Sequence, residues 1–116
     1  MSKTRREGKM EDRRIFERIE IRLPLSFYNP FTSEKGSLLT VDISADGFGV
    51  ISEKMLPQST LLDFWLHIPD EHEPFFTRGK VAWASGKEEE KGIRIGVRLE
   101  KPELLGLARI LWLKWE

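Results

Sequence analysis

Cysteine is absent from the 116 residues, which excludes both disulfides and thiolate metal sites. No apolar run approaches the roughly 20 residues that a membrane-spanning helix requires. The opening MSKTRREGKMEDRR lacks the apolar stretch of a secretory signal, so the expected location is the cytoplasm, without membrane insertion. Net charge is missing too: 19 cations balance 19 anions. No Ser/His/Asp order and no Gly-x-x-x-x-Gly-Lys loop is evident, so nothing points to nucleophilic or nucleoside-triphosphate chemistry. The turn residues Asp70–Glu73 (DEHE) are contiguous and therefore ill-placed to converge on one ion. The expectation is no enzyme, no metal and no cofactor.

The zero net charge conceals an asymmetry. Residues 1–18 carry seven cations against four anions, +3, and the remainder is −3. That arm suits an anionic partner but is too weakly basic for duplex DNA. Residues 1–12 show no apolar periodicity and are read as a flexible arm. Residues 13–116 are read as a single domain.

From Ile19 the chain alternates. Ile19, Ile21, Leu23, Leu25 and Phe27 share one face of a strand, with Pro24 marking an edge or a bulge. Further alternating runs follow: Leu39, Val41 and Ile43; Phe48 and Val50; Leu62, Phe64, Leu66 and Ile68; Val81 and Trp83; then Ile93, Ile95, Val97 and Leu99. Turn signals separate them, and KEEEK reads as a solvated hairpin tip. Six short strands describe an all-β, six-stranded antiparallel barrel. Pro102 opens a different pattern, a C-terminal helix over 102–115 with Leu104, Leu107, Ala108, Leu111 and Trp115 on its apolar stripe. Leu105, Trp112 and Leu113 do not all fit that stripe, which leaves apolar surface for a second contact. The tryptophans otherwise read as core.

Two segments could carry chemistry. Arg14 and Arg18, preceded by Arg13, form an Arg-x-x-x-Arg pair just before the first strand. Guanidinium groups clamp phosphates, donate to the guanine O6/N7 edge and stack on bases. The same spacing recurs at Arg18/Arg22 and Arg94/Arg98, the latter reading as decoration of a strand's outer face. The second segment is DISADG, Asp42 to Gly47. Read locally it is a tight turn whose Gly47 supplies positive φ. Read as a site it is a polar cup, in which Asp42 accepts from a guanine N1/N2 edge, Ser44 donates, and Gly47 admits a ligand to the backbone.

Arg-x-x-x-Arg, a strand, then D-x-S-x-x-G closing the second strand resembles the PilZ domain family. GKVAWASGKEEEKGIRIGVRL looks like the family's later strand pair, and the likeness covers roughly residues 12–100. One departure is Leu99, where the family usually has an aromatic. The resemblance implies a non-enzymatic receptor for the bacterial second messenger cyclic di-GMP. It assigns Arg14 and Arg18 to guanine faces and phosphates, and Asp42, Ser44 and Gly47 to the surface where the base sits. It associates an arginine at the position of Arg13 with an intercalated ligand dimer. It further implies that ligand orders the arm onto the barrel and that the signal passes to an unidentified downstream protein, with oligomeric state open. Two rival readings are a PilZ-like protein-interaction module that binds no nucleotide, and a single-stranded nucleic-acid binder. The latter wants aromatics interleaved with cations along a groove, and the outward faces offer only Tyr28 and Trp65 with few cations nearby.

Overall fold

The computed structural model describes residues 17–89 and 92–115. Arg13, Arg14 and the expected arm over 1–12 therefore lie outside the described residues. Seven strands form one antiparallel sheet: β1 (Ile19–Glu20), β2 (Pro24–Tyr28), β3 (Lys35–Ser44), β4 (Gly47–Ser52), β5 (Leu61–Leu66), β6 (Phe75–Glu89) and β7 (Gly92–Leu99). The order β3-β2-β5-β6-β7-β4 closes through a β3–β4 pairing, giving the six-stranded barrel that the alternation implies. The two-residue β1 adds a short extra pairing on β3.

The expected first strand is divided. Glu20 pairs with Asp42 and Pro24 with Leu39, so Ile21–Leu23, three residues, face only Thr40 and Val41. That bulge is stitched from inside by Thr40, which is fully buried. Its hydroxyl donates to Ile21 O at 2.7 Å and accepts from Leu23 N at 2.8 Å. The side chain thus satisfies two backbone groups that the interrupted ladder leaves over.

A second irregularity in β3, between Thr40 and Asp42 against β4, changes which residues face inward. Leu38, Thr40 and Ile43 are buried, whereas Leu39 is exposed and Val41 only half-buried. The expected Leu39/Val41/Ile43 face is corrected accordingly, because one extra residue inverts the pleat. The same effect operates in β6. A bulge between Val81 and Trp83 leaves Val81 buried and turns Trp83 outward, 48% exposed.

The core is filled by the alternating residues of β2, β4, β5 and β7, with Phe48 and Phe64 meeting edge to face at 5.8 Å between ring centroids. Helix α1 (Leu104–Trp115) adds Ile110 to this core, and Leu113 packs against it. Its inward stripe is therefore the buried Leu107 and Ile110, with Leu113 half-buried beside them. Leu104 and Ala108, expected inside, are exposed, as are Leu105 and Trp112. Arg109 anchors the helix through two 2.7 Å bonds to the Asp70 carboxylate and one to Glu73 O at 3.0 Å. Gly106 is the residue at which α1 passes the Phe75 ring; a Cβ there would lie 2.8 Å from it. Among the described residues no helix is long and apolar enough to cross a membrane.

Candidate functional site

The outer face of β3, β4, β7 and β6 carries two parallel rows of residues. Cross-strand pairing places Asp42, Gly49, Gly96 and Trp83 in the first row. Ser44, Gly47, Arg98 and Lys80 form the second, two residues or about 6.6 Å further along β3, β4 and β7, and three residues along β6, where the bulge adds Ala82.

In the first row the two glycines let side chains close in from both ends. From one end, Asp42 reaches over Gly49 and accepts its backbone N–H at 3.1 Å through Oδ1; a Cβ on Gly49 would lie 2.6 Å from that oxygen. The same Oδ1 accepts from Arg18 Nη1 at 2.8 Å, with the arginine half exposed. At the other end the Trp83 indole lies against Gly96, where an added Cβ would collide with the ring. The result is a glycine strip with a carboxylate–guanidinium pair on one side and an exposed indole on the other. Such a surface offers a hydrogen-bond acceptor, a cation and an aromatic face within one row.

The β3–β4 turn holds the rest of the D-x-S-x-x-G segment. Ser44 is only 2% exposed, and its hydroxyl donates to Asp46 Oδ1. Asp46 O accepts from Leu99 N at 2.9 Å and Ala45 O from Glu103 N at 2.8 Å, which ties the turn to the end of β7 and the start of α1. Gly47 does not have the positive φ expected of a turn glycine; among the described glycines only Gly92 does. Its requirement is space, because a Cβ would run into Val97 O on β7.

Of the residues singled out from sequence, the structure thus brings Arg18 and Asp42 into direct contact and sets Ser44 and Gly47 one pleat away. Trp83 was not anticipated, since its exposure depends on the β6 bulge. Its one sequence signal was its place on an alternating strand opposite a glycine-containing one. Arg94, also on β7, keeps a buried Nε without a hydrogen-bond partner.

Comparison with known proteins bears on the fold. Three solved structures share the fold: the PilZ domain of YcgR from Escherichia coli with c-di-GMP (TM-score 0.65, 15% identity, 86% of this chain and 89% of that one); the PilZ domain of CeSA from a cellulose-synthesizing bacterium (0.60, 17%, 84% and 93%); and the Bacillus subtilis inhibitor of motility MotI/DgrA (0.63, 14%, 86% and 47%). This chain therefore spans about half the length of MotI/DgrA. No curated protein matches. The family model described as the PilZ domain matches residues 12–111, and the chain belongs to the PilZ domain family.

Proposed function

We propose that this domain is a receptor for cyclic di-GMP. PilZ domains are generally non-enzymatic receptor modules, and the similar YcgR domain was solved with this ligand. The observation that carries the reading is the Arg18–Asp42 ion pair. It joins the second arginine of Arg-x-x-x-Arg to the aspartate of D-x-S-x-x-G, so both motifs address one surface.

Binding is an exchange of partners at that pair. Asp42 releases Arg18 and accepts the N1–H and N2–H of a guanine, while Arg18 turns to phosphate or to a base face. Arg14 and Arg13 close from the arm side, Ser44 lends its hydroxyl once Asp46 gives it up, and Gly47 lets the ligand lie near the backbone. Holding the arm costs roughly 1–2 kcal/mol per residue fixed, which charge-assisted bonds to two phosphates and two guanines must exceed. The arm so placed changes the shape and charge of the surface that a downstream protein reads.

Titration calorimetry with cyclic di-GMP tests this. Saturable binding supports the receptor reading, and no binding at high micromolar ligand rejects it. The rival, a protein-interaction module without nucleotide, draws on the exposed Phe76, Leu105 and Trp112. The same titration separates the two.

A further inference from the structure

Beside the glycine strip, Lys80 and Arg98 stand directly opposite each other across β6 and β7. Both are exposed, and neither side chain has an ion pair or a hydrogen bond among the described residues. Like charges facing across a strand pair are destabilising, and this pair sits on a body that is net acidic outside residues 1–18. The two cations line a groove of about 540 Å³ together with Gln58, Ser59 and Glu100. The acid in that group, Glu100, makes no ion pair with either cation among the described residues.

Register connects this groove to the candidate site. Arg98 is the cross-strand neighbour of Gly47, and Gly47 that of Ser44, so the cations extend the row that begins at Ser44. With no side chain on Gly47, nothing on β4 stands between Ser44 and the Arg98 guanidinium. A lysine ammonium is a compact point charge suited to phosphate oxygens rather than to base edges, and an arginine takes the same oxygens bidentately.

We propose that Lys80 and Arg98 form a phosphate-binding wall for the cyclic dinucleotide, on the side of the site away from the arm. This inference rests on the receptor reading above. In it the arm arginines hold one flank of the ligand, Asp42 reads a guanine edge, and the β6–β7 cations hold a phosphate at the far flank. The opposed charges are then a feature of the unliganded state that the ligand relieves.

The test is calorimetry with cyclic di-GMP on the unaltered chain, Lys80→Ala, Arg98→Ala, the double variant, and Lys35→Ala as a control. Lys35 is an exposed cation at the opposite end of β3 and removes the same charge from elsewhere. Each wall variant should weaken binding about fivefold or more and the double variant about twentyfold or more, with Lys35→Ala within about twofold. Thermal unfolding supplies the second readout. Lys80→Ala should unfold at the same temperature or higher, since it removes a repulsion, so weaker binding cannot be put down to a weakened fold. If the unaltered chain binds and the double variant binds equally well, the phosphate wall is wrong while the receptor reading stands. If the unaltered chain does not bind, both fall together.

Discussion

Arg18 Nη1 and Asp42 Oδ1 lie 2.8 Å apart, although 24 residues separate them in the chain. The bond spans the β1–β3 pairing, in which Glu20 opposes Asp42. It fixes the last described residues before β1 against the strand that carries the second motif. The pair is half open to solvent on the arginine side, and exposed ion pairs of this kind contribute about 0–1 kcal/mol. Its value to the fold is accordingly small, and its position beside the glycine strip is the more informative property.

Substitution should therefore separate binding from stability. Arg18→Ala and Arg14→Ala should each weaken cyclic di-GMP binding at least tenfold, or about 1.4 kcal/mol, while Arg18→Ala shifts the unfolding free energy by no more than about 1 kcal/mol. Calorimetry and urea denaturation measure the two quantities. A double variant that binds like the unaltered chain would show the arginines assigned to the wrong role.

The glycines make a graded prediction. Gly47→Ala drives a methyl into a backbone carbonyl, Val97 O, which can move only with β7. Gly96→Ala meets the Trp83 side chain, which is half exposed and able to swing away. Gly47→Ala should cost about 1–3 kcal/mol as an overpacked site, and Gly96→Ala distinctly less. Urea midpoints of the two variants compare them, and equal losses would mean that Trp83 is held more firmly than its exposure indicates.

Much of this architecture is legible in the chain because period-two alternation reports which strand faces are buried. Phe48/Val50 and Leu62/Phe64/Leu66/Ile68 face inward as that pattern requires. The failures fall at bulges. Leu39 and Trp83 lie on the other face, and Val41 is only half-buried, because an extra residue in β3 or β6 inverts the pleat. A bulge is a property of two paired strands, so neither strand's own pattern announces it. The helix erred for another reason: LLGLARILWL is apolar nearly all round, and several phases fit it until the barrel selects Leu107, Ile110 and Leu113. The candidate site is legible as two motifs, of which the structure brings Arg18 and Asp42 together, but the Lys80–Arg98 opposition requires the β6–β7 register, which again depends on the bulge.

Thr40 gives a prediction about the break in the first strand. Thr40→Val keeps the shape but removes the hydroxyl that serves both Leu23 N and Ile21 O. A buried donor left without a partner costs about 1–3 kcal/mol, and urea denaturation should show a loss of that size. Thr40→Ser, which keeps the hydroxyl, should recover part of it. A Thr40→Val variant as stable as the unaltered chain would show that the hydroxyl does not hold the break.

The Asp70–Arg109 contact predicts a pH dependence. The hydrogen bond from Arg109 is the main influence holding the Asp70 carboxyl well below its usual range, helped by the His72 backbone N–H and opposed by desolvation. A carboxylate whose pKa is lower in the folded chain stabilises the fold fully above its unfolded value of about 3.9. That stabilisation diminishes as pH falls below this value towards the folded pKa, because the unfolded chain takes up the proton first. Asp70→Asn should therefore unfold at a lower temperature than the unaltered chain at neutral pH. The gap should stay constant down to about pH 5 and narrow steadily between about pH 4 and pH 2. Melting both proteins across that range by circular dichroism measures the gap. A difference that does not change with pH would mean that Arg109 holds α1 through Glu73 O and packing, not through the charge on Asp70.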